Sequence, residues 1–305
     1  MTPTSDSIKQ CKDRYIKSLV DIGIELEEAQ CEAQIVLTTL MDLSLNQLLT
    51  RYNDAIGSAH QEFDRVLAAR LQRMPLQYVL GHTYFMGLKF IVAPGCLIPR
   101  PDTELLVEQV LAYIADNKLT SPWIFEVGPG SGCICVSILK KCPSAKATVL
   151  EVSAEALAIT RQNAKEHGVD SRLTCIEADF FSDNGQEAAS KAILDGIDIF
   201  VSNPPYINPN DMQTLAPEVK DYEPTIALAG PGSDGMGFYQ CFAKVLGASQ
   251  NHLANRQVAL IVEVGYDQGA LVADLFASSG LGQIRTIKDL SGIQRVVFAL
   301  ASGCI

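Results

Sequence analysis

The chain has 305 residues, 48% of them hydrophobic and 19% charged, enough apolar material for one large or two ordinary domains, which excludes a disordered chain. Its 24 Lys and Arg are outnumbered by 35 Asp and Glu, for a net charge of −11; proteins that work by neutralising many phosphates carry the opposite balance. The longest apolar runs fall far short of the ~20 residues of a membrane-spanning helix, so a soluble globular protein is expected.

Residues 5–72 carry no Pro and only Gly23 and Gly57. Ile8, Cys11, Tyr15 and Leu19 recur at spacings of three and four, one stripe of an amphipathic helix. A second helix is expected from about 27 to 40, a short one after Ser44 as N-cap, and a fourth over about 60–73. Residues 1–74 thus form a helical domain without a cluster of reactive side chains, suited to substrate recognition or scaffolding. Pro75, Gly81, Gly87, Pro94, Gly95, Pro99 and Pro101 then punctuate short runs at 83–85 and 88–92, predicting a β-hairpin inside a linker over 75–101. Asp102-Thr103-Glu104 supplies carboxylates to the start of a helix and opens the third region, 102–305.

From Trp123 strands and helices alternate. Strands are expected at 124–127, 148–151, 173–178, 197–202 and 258–264, and helices at 132–141, 154–166, 235–249 and 268–278. Such alternation of strongly apolar strands with helices gives a parallel sheet covered on both faces. Strands at 283–287 and 293–300 have room between them only for a turn at 289–292, so they pair antiparallel. The expected fold class is α/β, a seven-stranded Rossmann-like sheet with an antiparallel last strand, preceded by a small all-α domain.

The nine Cys, including Cys133, Cys135 and Cys304, show neither a C-x-x-C pair nor a zinc-type spacing with His, and the four His (His60, His82, His167 and His252) are scattered. No metal site is expected, and the thiols read as small apolar residues of a reducing compartment. Residues 1–10 lack an apolar signal core, which places the expected location in the cytoplasm.

Strand 124–127 runs into Gly128-Pro129-Gly130-Ser131-Gly132 and then a helix. Glycines there let the backbone turn sharply and a ligand approach closely, beyond the carboxyl ends of the strands. Glu126, ending the strand, offers a carboxylate to a cationic ligand. Glu151 ends the next strand, 21 residues after Gly130, where a carboxylate accepts both hydroxyls of a ribose. Asp179 and Phe180 end the third, suited to an adenine amino group and ring. Together these form an adenosine pocket, open to a nicotinamide dinucleotide or to S-adenosylmethionine. The pattern G-x-G-x-x-G is broken by Cys133, and acids near the loop suit a sulfonium, which favours the methyl donor.

Strand 197–202 delivers Asn203-Pro204-Pro205-Tyr206. The prolines lack backbone N–H groups, leaving the Pro204 carbonyl and the Asn203 side-chain oxygen as paired acceptors. That pair suits an –NH2 whose lone pair is conjugated: hydrogen bonds from both N–H groups turn the nitrogen toward the methyl group and stabilise the positive charge that grows on it. Tyr206 is expected to pack on the planar group. Glu263 also ends a strand, where such a residue more often supports a neighbouring loop, and Arg100 between two prolines steadies the edge of the site. An exocyclic adenine amine of DNA or RNA meets the same requirement, so an adenine-N6 methyltransferase is the alternative; the negative charge counts against it.

The chain from Pro75 onward resembles the HemK/PrmC family of protein-(glutamine-N5) methyltransferases. The likeness is carried by Pro75-Leu76-Gln77-Tyr78, by Leu97-Ile98-Pro99-Arg100-Pro101-Asp102-Thr103-Glu104, by Val201 through Asn203 to Ile207, by Glu223-Pro224, by Glu263-Val264-Gly265-Tyr266 and by the stretch from Asp289 to Val297. The resemblance implies methyl transfer from S-adenosylmethionine to the glutamine of the Gly-Gly-Gln loop of peptide chain release factors. It implies a cofactor loop at Gly128, Pro129, Gly130, Ser131 and Gly132, a ribose acid at Glu151, adenine-side residues at Asp179 and Phe180, and a substrate-amide motif at Asn203, Pro204, Pro205 and Tyr206, with Asn203 also on the cofactor side. A release factor is the implied partner of a monomeric enzyme, with no nucleic acid or membrane. The family's loop is usually D-x-G-T-G and its ribose acid Asp; Glu126, Pro129 and Glu151 depart from that, keeping the charges but removing one backbone donor.

Overall fold

The computed structural model describes residues 6–232, 234–253 and 256–303, so Cys304 lies outside the described residues. Two compact units emerge: Met1–Gly81 with Pro217–Tyr222, and His82–Ala216 with Glu223–Ile305.

The first unit is helical, with α1 (Ile8–Asp21), α2 (Leu26–Met41), α3 (Leu45–Thr50), α4 (His60–Leu71) and α5 (Leu76–Leu80). Ser7 and Ser44 each close a capping box with the Gln three residues on, which satisfies the first free N–H groups of α1 and α3. The stripe Ile8, Cys11, Tyr15 and Leu19 is fully buried. It packs with Ala33, Val36, Phe63 and Val66, each larger apolar side chain contributing roughly 1.5–3 kcal/mol by leaving water. Arg70 is buried in the same core and is held by both carboxylate oxygens of Glu32 at 2.8 and 2.9 Å.

The sequence reading gives 75–101 to a hairpin linker. In the structure Leu76–Leu80 is instead a helical turn of the first unit, and the hairpin proper, β1 (His82–Phe85) with β2 (Leu88–Ile91), belongs to the second. Phe85 and Phe90 are its anchors, buried in the second unit's core. Asn163 also ties β2 down, accepting from Ile91 N at 2.8 Å and donating to Ile91 O at 3.0 Å.

The second unit continues through α6 (Glu104–Asp116), β3 (Trp123–Val127), α7 (Cys133–Lys141), β4 (Lys146–Glu151), α8 (Ala154–Glu166), β5 (Leu173–Glu177), α9 (Asp183–Asp195) and β6 (Ile199–Ser202). The turn α10 (Pro217–Lys220) lies in the segment that groups with the first unit. Then follow α11 (Thr225–Leu228), α12 (Gly237–Ser249), β7 (Gln257–Glu263), α13 (Gly269–Ser278), β8 (Gly282–Lys288) and β9 (Gln294–Ser302). Among the described residues the main sheet has seven strands in the order β5-β4-β3-β6-β7-β9-β8. The β3–β7 strands pair parallel, whereas β9 runs antiparallel to both β7 and β8.

Alternation along the strands divides the apolar side chains between two cores. Ile124, Val149, Val201 and Ile261 face one with α6 and α7; Phe125, Leu150, Phe200 and Val262 face the other with α12 and α13. The strand order reverses between β3 and β6, so their carboxyl ends diverge and leave a crevice there. Helix α9 was not among the sequence expectations. Its first turn, Asp183-Asn184-Gly185-Gln186, has loop composition, and its buried face uses Ala189, Ala192 and Ile193.

Candidate active site

The crevice holds a cavity of about 390 Å³ within the second unit. Gly128, Pro129, Gly130 and Ser131 line it, as do Glu151, Asp179, Phe180, Asn203 and Pro205. Expected site residues from four chain segments therefore meet at one place. Glu126, Gly132, Pro204 and Tyr206 stand outside the lining.

Loop 128–132 turns through three positive φ values, at Gly128, Gly130 and Gly132. It is closed by Gly132 N donating to Pro129 O at 2.7 Å and anchored by Gly128 N on Leu150 O at 2.9 Å. Gly132 serves packing: a Cβ there would stand 3.0 Å from Thr160 Cγ2 and 3.3 Å from Thr160 Cα, so α8 comes this close only to glycine. The carbonyls of Gly130 and Ser131 are held by Thr160 Oγ1 at 2.8 Å and Asn163 Nδ2 at 2.9 Å. Thr160 and Asn163 escaped the sequence reading, because nothing in the run of α8 distinguishes two buried polar residues from its solvated ones.

Glu126 corrects an expectation. Strand alternation turns its side chain away from the cavity toward the N-terminus of α7, where Oε2 accepts from Cys135 N at 3.0 Å. It is fully buried, and Oε1 has no hydrogen-bond partner among the described residues. Burial raises its pKa to about 8, against the pull of the bond from Cys135, so the group is neutral in ordinary conditions and offers no charge to a cation. Its hydrogen bond from Cys135 caps the first turn of α7.

Glu151 closes β4, lines the cavity and is itself pinned. Oε2 accepts from Gly130 N at 3.1 Å and Oε1 from Ser153 N at 3.0 Å. A carboxylate has about four acceptor positions, so lone pairs remain for a pair of hydroxyls. Asp179 is exposed, with Oδ1 capping Phe181 N at 2.9 Å. The Phe180 ring is 2% exposed and packs against Phe200, Phe238 and Phe242 while the residue lines the cavity, which leaves its backbone N–H as the group to set beside an adenine.

Asn203 follows β6 directly. Its Nδ2 donates to Thr103 Oγ1 at 3.1 Å, and with the amide nitrogen so engaged the side-chain oxygen is the end left to accept. Thr103, 2% exposed at the turn before α6, also escaped the sequence reading. Pro204 is buried behind the lining. Tyr206 turns from the cavity as well, its hydroxyl donating to Glu263 Oε1 at 3.4 Å. Burial and the neighbouring Glu263 charge push its pKa well up, so it is a donor and not a base.

The turn is fastened further on. Gln268 Nε2 donates to Tyr206 O at 3.1 Å and Ile207 N to Leu228 O at 2.9 Å. Gly235, at φ +69°, passes so close that a Cβ would lie 2.2 Å from Tyr206 O, a position only glycine fills. Arg100 lines the cavity and pairs with Glu223, which also accepts from Ile98 N at 3.3 Å.

A parallel sheet with one antiparallel strand wedged at its end, and a glycine-rich turn at the switch point facing an acid-ended second strand, defines a class I methyltransferase. Residues 101–218 match the methyltransferase small domain, and residues 14–81 match the PrmC N-terminal domain. The release factor glutamine methyltransferase of Geobacter sulfurreducens is 36% identical over 273 residues, 89% of each chain; that of Chlorobaculum tepidum is 34% identical over 281 residues, 91% of this chain and 92% of its own. The hMettl16 catalytic domain in complex with MAT2A 3'UTR hairpin 6 shares the fold alone, with a TM-score of 0.53 at 11% identity, covering 81% of this chain and 82% of that one. This chain belongs to the release factor glutamine methyltransferase family.

Proposed function

We propose that the protein transfers the methyl group of S-adenosylmethionine to the side-chain nitrogen of the glutamine in a release factor's Gly-Gly-Gln loop. The observation that carries this reading is the Asn203 amide, anchored by its nitrogen on Thr103 at the rim of a cavity that Glu151 and the glycine loop also line. The donor set suits the cofactor: the Glu151 carboxylate has acceptor capacity left for ribose hydroxyls, and the loop's glycines keep Cβ atoms from the space beside it. When bound, S-adenosylmethionine supplies an electrophilic methyl group. Asn203 Oδ1 and the Pro204 carbonyl accept the two N–H groups of the carboxamide, which turns its lone pair toward that methyl group and stabilises the charge developing on nitrogen. No side chain needs to act as a strong base, because the methylated nitrogen is acidic enough to lose its proton to water. The first unit supplies binding energy to the release factor that a small amide cannot, and the cytoplasm, where translation ends, is the matching compartment.

The test is an assay with labelled methyl donor on three substrates: purified release factor, its Gln→Ala loop variant, and DNA. Label is expected on the intact factor alone. Label on DNA alone would transfer the case to adenine-N6 methylation.

A further inference from the structure

Glu263 is the last residue of β7, and the register that pairs Ser202 with Val262 sets it level with Asn203 on the neighbouring strand end. Alternation then turns its side chain to the same face as Ile261, the face covered by α6, whose preceding turn carries Thr103. It is 2% exposed, its Oε1 takes the Tyr206 hydroxyl, and its Oε2 is buried with no hydrogen-bond partner among the described residues. The Thr103 hydroxyl lies near enough to favour the ionised carboxylate, while the same hydroxyl oxygen accepts from Asn203 Nδ2. One carboxylate thus stands behind both ends of the acceptor turn.

The polarity of this chain follows from counting hydrogens. A threonine hydroxyl has one hydrogen. Aimed at the Glu263 carboxylate, it leaves only lone pairs for Asn203, which must then present its NH2 to Thr103 and its oxygen to the cavity. The orientation of an Asn amide is set by such partners. Were Glu263 to carry a proton, Thr103 would be released to donate toward Asn203 and the amide would lose its preference.

We propose that Glu263 is a positioning residue for methyl transfer: acting through Thr103 it orients the Asn203 amide, and through Tyr206 it holds the other end of the same turn. The inference rests on the function proposed above. Among the described residues, groups on several elements bear on Glu263. The turn before α6 brings Asp102 and Thr103, the acceptor turn brings Tyr206, and β9 brings Arg295, which pairs with Asp102 at 3.0 Å and Asp289 at 3.0 Å. Cys133 faces it from α7, and from α12 the Tyr239 hydroxyl donates to its backbone carbonyl at 2.9 Å. Burial dominates this balance and lifts the carboxyl pKa to about 7. The ionised, orienting form is accordingly lost as pH falls through neutrality.

The experiment pairs Glu263→Gln, an uncharged isostere, with Glu263→Asp, and follows kcat on release factor against pH, cofactor affinity by calorimetry, and melting temperature. The side-chain amide resonance of Asn203, assigned by its absence in Asn203→Ala, is followed over the same pH range. Wild-type kcat should fall on acidification below about pH 7 and the Asn203 resonance should titrate with it. Glu263→Gln should lose about 10²-fold in kcat, the scale expected of a misplaced reacting group, with a flat pH response, unchanged cofactor affinity, and partial rescue in Glu263→Asp. Wild-type kcat in Glu263→Gln would overturn the proposal, as would loss of kcat in step with cofactor affinity and melting temperature. The amide titration needs no substrate: absent from the wild-type protein, it overturns the network; present while release factor stays unlabelled, it upholds the network and sinks the functional reading instead.

Discussion

At Asn203 the amide nitrogen is tied to Thr103 at 3.1 Å and the residue lines the cavity, so the oxygen is the end proposed to accept. Asn203→Ala removes the acceptor without touching the glycine loop or Glu151. Turnover should fall by roughly 10²-fold or more, the scale of a lost transition-state hydrogen bond, while calorimetry finds cofactor affinity within about twofold of wild type. Equal losses in both would make Asn203 a folding residue. Glu126 calls for a different measurement, because its effect is on stability. Its neutral form is favoured in the folded protein, with a pKa near 8. Such a group contributes stability that is complete below the ordinary carboxylate pKa and is lost as pH rises through the folded value. Glu126→Gln removes that dependence: melting temperatures should nearly coincide with wild type at pH 5 and exceed it by about 3 °C or more at pH 8.5. Parallel curves across that range would mean that Glu126 does not titrate there.

Strand ends are the scale at which the site is made. The parallel register of β3, β4 and β5 brings Val127, Leu150 and Ile176 level, so consecutive strands deliver the glycine loop, Glu151 and Asp179 to one edge. Glu151→Ala should lower cofactor affinity by about 10- to 100-fold, the loss of charge-assisted hydrogen bonds of about 1.5–3 kcal/mol, and unchanged affinity would remove the ribose assignment. The apolar strands were legible in the chain to within about two residues, because two-sided burial writes itself as continuous runs of Val, Ile and Phe. Helix α9 was not, since alanines and a Gly-containing first turn give a faint stripe. The acceptor motif was legible because its four residues are contiguous. Its supports were not: Thr103 is 100 residues from Asn203 in sequence and Glu263 is 57 from Tyr206, and only the pairing of β6 with β7 brings Glu263 level with the turn. Glu126 went astray for a related reason, as its type and place were right for a ligand but the strand's pleat points it the other way.

At the scale of the whole chain, a helical domain could be read from the sequence but its membership could not. Pro217–Tyr222, more than 130 residues downstream of Gly81, packs as part of the first unit. Glu218 pairs there with Arg73 at 2.7 Å and Arg70 at 3.4 Å, and the Tyr222 hydroxyl donates to Gln72 O. The first unit holds this segment and is proposed to grip the release factor as well, and a truncation of residues 1–81 affects both roles. The ratio of activities separates them. A short Gly-Gly-Gln peptide has no surface for the first unit to grip, so any loss on the peptide measures the stranded segment alone. The truncated enzyme should lose at least about tenfold more activity on whole release factor than on the peptide, equivalent to about 1.4 kcal/mol of binding energy made remotely from the reacting amide. An equal loss on both substrates would leave the helices as a scaffold for Pro217–Tyr222, and recognition would have to be sought on the second unit.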